Sequence, residues 1–246
     1  MRFLSSLRAS ARFAGAPCAI ALAVGWAAFA AAPAGAADAK HPIVIELFQS
    51  QGCSSCPPAN ANLIQIAARD DVLALNFAVD YWDNLGWKDT FAKPEFTARQ
   101  WAYARAMGRA DVYTPEIVVN GRADGVGADA AEMRELAEKN QRGAAAPELT
   151  LEPGAATVGP GRAPPAGADV WLARYQRGVT EVAVKRGENA GRTLPHANVV
   201  REMILVGHWS GAAERLALPA PGDSRLAEAV IVQTSGAGPI LAAAKN

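Results

Sequence analysis

Residues 43–48 (Ile-Val-Ile-Glu-Leu-Phe) form a nearly unbroken apolar run, as expected of a strand buried on both faces of a sheet. Leu63, Ile64, Ile66 and Ala67 then recur at helical spacing within 59–69, and 72–79 reads as a second buried strand. A right-handed β-α-β unit is predicted. The stretch 80–93 breaks the pattern: it is irregular and aromatic-rich, and reads as a loop ahead of a helix over 94–107 with Phe96, Gln100, Tyr103 and Met107 on one stripe. Pro94 suits that helix's first turn and Gly108 its stop. Asn120-Gly121 between apolar residues predicts an antiparallel hairpin of 116–119 with 122–126. Asp129 with Glu132 three residues on is a capping-box pattern for a last helix through Asn140, with Met133, Leu136 and Ala137 toward the core.

The order β-α-β-α-β-β-α therefore fills a first domain, an α/β unit over residues 41–141. Residues 142–147 read as a linker, and the texture then changes. The runs 148–152, 169–176, 179–185, 198–206 and 228–234 are strand-like, separated by Gly and Pro clusters, with no amphipathic helix among them. A second domain over 148–240 is expected, a mostly antiparallel β-sandwich or small barrel.

Charge and composition narrow the setting. Arg2, Arg8 and Arg12 precede an apolar stretch over 16–32 and small residues to Ala37, the layout of a secretory signal over 1–37 cleaved near Ala36 or Ala37; an uncleaved anchor is the alternative. The expected location is periplasmic or secreted. The signal holds three of the 24 basic residues and no acidic one, so the remainder carries a slight acidic excess that offers nothing to nucleic acid. No later apolar run approaches spanning length, so no integral membrane segment is expected after signal removal.

Cys18 leaves with the signal, and Cys53 and Cys56 remain in Cys53-Ser54-Ser55-Cys56, directly after the first strand and before Pro57-Pro58. A disulfide across two residues encloses almost no chain, so a purely stabilising role is disfavoured, and thiol exchange or metal binding is favoured. His41, His196 and His208 show no ligand spacing among themselves, and no cofactor or metal site is read from the chain. The polar stretch 187–191, followed by Pro195-His196, reads either as a turn or as a hairpin carrying a site.

The motif Glu46-Leu47-Phe48-Gln49-Ser50-Gln51-Gly52-Cys53-Ser54-Ser55-Cys56-Pro57-Pro58, with Val112-Tyr113-Thr114-Pro115, resembles a family of exported bacterial thioredoxin-like proteins known chiefly as a domain of unknown function. The resemblance covers the whole mature chain and implies a thioredoxin-like fold for 41–141 more firmly than it implies a substrate. The pair Ser54-Ser55 replaces the Gly-Pro of thioredoxin, and no Trp precedes Cys53. What the resemblance implies for the site is a cis bond before Pro115, turning the Thr114 backbone toward the cysteines. An ordinary turn proline is the alternative. It also implies an acidic group beneath the cysteines, and Glu46 on the leading strand is the candidate, the alternative being a solvent-facing or salt-bridged glutamate. Trp82 and Trp87 either line a substrate groove or pack the loop onto the domain.

A thiolate is the nucleophile in disulfide exchange, and the N–H groups at a helix N-terminus favour negative charge. Cys53 is thus the expected attacker and Cys56 the resolving thiol, with both sulfurs expected at the mouth of a pocket beside the Pro115 bend. The leading expectation is an exported thiol-disulfide oxidoreductase acting on a protein disulfide or dithiol partner or on a small thiol. One alternative is a Cu(I)-binding or metallochaperone module using the same thiols. Another is a non-catalytic envelope binding protein on the same scaffold.

Overall fold

The computed structural model describes residues 36–143 and 146–246. The expected signal lies, up to residue 35, outside the described residues, among which no helix is long and apolar enough to cross a membrane.

The first half contains β1 (Ile43–Gln49), α1 (Pro57–Ala67), β2 (Val72–Ala78), α2 (Pro94–Ala106), β3 (Glu116–Val119), β4 (Ala123–Gly125) and α3 (Ala130–Lys139), in the order expected from the apolar pattern. β1 is buried throughout because it has neighbours on both edges, β2 in parallel and β3 antiparallel. Pro57 and Pro58 open α1, where a missing N–H costs no intrahelical bond. Asn120 (φ 47°) and Gly121 (φ 62°) make the hairpin turn. Asp129 caps α3 through Ala131 N at 2.7 Å, while Glu132 accepts from Gly127 N instead of closing the expected box.

The second half departs from the expected free-standing sandwich or barrel. It contains β5 (Leu149–Glu152), β6 (Ala155–Val158), β7 (Ala168–Ala183), β8 (Thr193–Trp209), β9 (Glu214–Ala217), β10 (Ala227–Thr234) and β11 (Ile240–Lys245). Strands from both sides of 142–147 join one mixed eight-stranded sheet, β11-β10-β7-β8-β2-β1-β3-β4, and only β5-β6-β9 stands apart as a small second sheet. The junction is β8 against β2, parallel, with Val199 opposite Asn76. A buried central strand such as β2 needs a partner on its second edge, and β8 supplies it. The two runs expected at 169–176 and 179–185 are one long strand, interrupted by a bulge that sets Arg177 and Gly178 against Asn198 (φ 47°).

One face of the large sheet packs Val44, Phe48, Leu75 and Phe77 against Phe96 and Tyr103 of α2. The opposite face of β1 and β2 packs Ile45, Leu47 and Ala74 against Ala59 and Leu63 of α1 and Met133 of α3. Farther along, Val170, Leu172 and Val230 meet Leu149, Ala156 and Val158 of the small sheet. Strand alternation therefore sends the even residues of β1 toward α2 and the odd ones toward α1.

Candidate functional site

Cys53 and Cys56 are joined as a disulfide where β1 hands over to α1, with Cys56 as the residue that caps the helix. Ser50 shapes the approach: its hydroxyl accepts from Gly52 N at 3.0 Å and its carbonyl from Cys53 N at 3.1 Å. Cys53 Sγ lies 3.3 Å from Ser55 Oγ, which in turn lies 3.5 Å from the Thr114 carbonyl oxygen. The Thr114–Pro115 bond is cis. Trp82 Nε1 donates to Thr114 Oγ1 at 2.9 Å, holding the bend beside the motif. Trp87 Nε1 donates to Gln51 Oε1 at 2.9 Å, so one indole fastens the 80–93 loop to the Thr114 bend and the other to the turn before the cysteines. Cys53, Cys56, Thr114, Pro115, Trp82 and Trp87 thus come together.

Glu46 does not join them. As an even residue of β1 it faces α2, on the side of the sheet opposite α1. There it is fully buried, receiving Arg99 Nε at 2.8 Å, Arg99 Nη2 at 3.1 Å and the Tyr103 hydroxyl. The Glu46 carboxylate beside Arg99 pushes the guanidinium's affinity for its proton still higher, although burial opposes this. The placement corrects the expectation that Glu46 lies beneath the cysteines; it is the salt-bridged alternative.

The expected openness of the sulfurs is also corrected. Cys53 is 0% and Cys56 1% exposed, and only Ser54 and Ser55 between them face solvent. The cover is the turn between β7 and β8, residues 184–192. Asn189 is buried and donates through Nδ2 to the carbonyls of Gln51 at 3.0 Å and Cys53 at 2.9 Å. Glu188 accepts from Ser54 N at 3.1 Å, and its contacts with Ser54 hold its carboxyl below the usual range. Gly187 (φ 78°) allows the close pass over Trp87, whose Cβ would lie 3.2 Å from an added Cβ. The polar stretch at 187–191 is therefore a turn that closes over the site.

Beneath the first turn of α1 lies a neutral polar network. Asn60 Nδ2 donates to Gln49 Oε1 at 3.3 Å and to the Cys56 carbonyl at 3.4 Å. Its Oδ1 receives Asn76 Nδ2 at 2.7 Å and lies 3.2 Å from His196 Nδ1. All four side chains are buried, and Gln49 Nε2, Asn76 Oδ1 and His196 Nε2 have no hydrogen-bond partner among the described residues. Burial pushes His196 down to about 4. Close by, Asp89 accepts from Gln51 N at 2.6 Å and Phe91 N at 2.8 Å, and burial pushes it up to about 6.

Sequence reasoning missed Asn60 and Asp89 as site residues, and offered Asn189 and His196 only through the alternative that the stretch from 187 to His196 is a hairpin carrying a site. Asn60 follows Cys56 by one helical turn, a spacing visible in the sequence, whereas nothing local separates Asp89 from Asp80 and Asp83 of the same aromatic loop. The local pattern around His196 gives no partner for it, and the ring reaches Asn60 only through the pairing of β8 with β2. Among the described residues no group of three or more His, Cys, Asp or Glu side chains is arranged to hold a metal ion.

Residues 44–233 match the family described as Protein of unknown function (DUF1223). A crystal structure of a protein from Agrobacterium tumefaciens is similar to this chain at 32% identity and a TM-score of 0.69, covering 82% of this chain and 92% of that one. HBP35 of Porphyromonas gingivalis shares the fold at 16% identity and a TM-score of 0.57, covering 84% of this chain and 75% of its own. No curated protein matches. With its family match running from the first strand into β10, and a solved relative at 32% identity, this chain belongs to the DUF1223 family.

Proposed function

We propose that this is an exported thiol-disulfide oxidoreductase, working in the periplasm or outside the cell on a protein partner, with a thioredoxin-like arrangement in its first half. The observation that carries the reading is the Cys53–Cys56 disulfide at the head of α1, with the cis Thr114–Pro115 bend within reach of the serine between the sulfurs. In the reduced protein Cys53, at the helix N-terminus, attacks a partner disulfide as a thiolate. One partner sulfur leaves with the electron pair and the other forms a mixed disulfide. Cys56 then loses its proton and attacks Cys53 Sγ, releasing the second partner thiolate and closing the pair. Run backwards, the same steps oxidise a dithiol partner. The Thr114 backbone is placed to pair with an extended segment of that partner, and the 184–192 turn must swing aside to admit it.

The direct test is exchange with a disulfide substrate by the wild-type protein and by Cys53→Ser. Loss of at least 10³-fold is expected, and equal rates would end the reading. Complete burial of both sulfurs favours a second reading, a binding protein on the same scaffold. That reading predicts that Cys53→Ser and Cys56→Ser together leave partner binding untouched.

A further inference from the structure

The oxidoreductase cycle has a step for which Glu46 is unavailable: Cys56 must give up a proton as it attacks Cys53. The only titratable side chain in the buried network under Cys56 comes from the other half of the chain. Val200 faces the α2 side with Phe48 and Phe77. Simple alternation along β8 would put His196, four residues earlier, on that same face. Asn198, in the left-handed region (φ 47°) opposite Arg177 and Gly178 of β7 and tied through its amide to Gly178 N at 3.1 Å and to the Ala74 carbonyl at 3.0 Å, breaks that alternation, and His196 lies on the α1 side against Asn60. A bulge that re-aims one side chain into a buried polar pocket is a feature with a purpose to explain.

The tautomer follows from the network. Asn60 Nδ2 donates to Gln49 and Cys56, so its Oδ1 is the atom facing His196, and Nδ1 of the ring must carry the hydrogen. Nε2 is then a bare lone pair, buried, with no partner among the described residues. Such a lone pair costs free energy in a structural role and is what a proton acceptor requires. Around the ring, α1 contributes Asn60, whose amide also reaches the Cys56 carbonyl, and no charged side chain, and β1 contributes neutral Gln49, its Glu46 being on the other face. β2 contributes neutral Asn76. The 80–93 loop contributes Phe91, edge-on at 6.0 Å, with Asp89 committed to backbone N–H groups and Arg201 of β8 over the Phe91 ring at 5.0 Å. No charge is paired with His196 that would otherwise consume the lone pair.

We propose that His196 is the base that takes the Cys56 proton during resolution, held and oriented by Asn60. The proposal rests on the oxidoreductase reading. In the step, the Cys56 S–H bond breaks with its proton passing to Nε2. The Cys56–Cys53 bond forms, the Cys53–partner bond breaks, and the electron pair leaves on the partner sulfur. Imidazolium later returns the proton to solvent. The oxidant is the partner disulfide itself.

The test uses the reduced full chain with glutathione disulfide as the oxidant, following formation of the mixed disulfide and its resolution as separate phases in wild type and His196→Gln. General-base assistance is worth about 10²-fold or more. Resolution in His196→Gln should slow by about that factor at pH 7, while the first phase changes less than about threefold. Wild-type resolution should level off from weakly acidic pH upward, whereas in the variant it should climb about tenfold per pH unit toward the ordinary thiol range. Equal resolution rates in the two proteins, or a wild-type rate that itself climbs steadily to the thiol range, would overturn the role of His196 and leave the oxidoreductase reading standing. Failure of the wild type to form any mixed disulfide would overturn both. The wild-type profile needs no variant, so it decides the matter even if His196→Gln folds poorly.

Discussion

The two faces of β1 handle buried polarity in opposite ways. Toward α2, Glu46 meets Arg99, Tyr103 and Gln233, with carboxylate, guanidinium, hydroxyl and amide all engaged. Toward α1, a few residues farther along the same strand, Gln49 enters a network with Asn60, Asn76 and His196 in which three buried polar atoms have no partner among the described residues. The first cluster is charged and closed; the second is neutral and open. A closed buried ion pair contributes to a unique packing but leaves little capacity for chemistry, because both carboxylate oxygens are already engaged. An open neutral network is energetically poorer and keeps a site able to receive a proton.

Removing one side of the closed cluster gives the largest expected effect. Glu46→Ala leaves the Arg99 guanidinium buried without its counter-charge, and breaking such a pair costs about 3–5 kcal/mol. Denaturant unfolding should show that loss, while the two phases of disulfide exchange in the fraction that remains folded should match the wild type. A resolution phase slowed along with stability would place Glu46 in the thiol chemistry after all and erase the contrast between the faces.

Most of the closed face was legible in the sequence, and most of the open one was not. The run 43–48, the Asn120-Gly121 turn and the Pro94–Gly108 helix are local patterns whose physics acts within a few residues, and each lies close to where the pattern puts it. The salt-bridged fate of Glu46 stood among the alternatives, but its choice of face depends on which side α1 takes, a tertiary fact. The open network needs β8 to lie beside β2, a pairing of segments more than a hundred residues apart, and Asn198 to break the strand pattern opposite Arg177 and Gly178 of β7. The same long-range pairing places Asn189 over Cys53, so the cover was visible only as a polar turn.

Acidification distinguishes the open face by sign. The His196 pKa is depressed from 6.5 to about 4, so its contribution to stability is present above pH 6.5 and is lost as pH falls through about 4. Asp89 is raised from 3.8 to about 6, so its contribution is present below pH 3.8 and is lost as pH rises through about 6. Each is worth on the order of 3 kcal/mol at its full extent, and over pH 4–6 the two oppose each other. Wild-type stability should therefore change little across that interval. His196→Gln should become more stable as pH falls, and Asp89→Asn less stable. Parallel profiles for the two variants, measured by urea unfolding at several pH values, would show that these groups do not titrate as their burial dictates.

The smallest expected effect concerns the arm that seals the open face. Asn189 Nδ2 donates to two backbone carbonyls flanking the cysteine turn, and Asn189→Ala withdraws both hydrogen bonds. At about 0.5–1.5 kcal/mol net for a typical hydrogen bond, local opening should become about tenfold more frequent. Because the sulfurs are shut away in the closed form, their reduction by a water-soluble phosphine should accelerate by the same factor, with little change in global unfolding. Glu188→Gln is the internal control: its side chain is fully exposed and its contacts are with Ser54 alone, so the rate should move less than about twofold. An Asn189→Ala rate equal to wild type would mean that the 184–192 turn is not what keeps reagents from the disulfide.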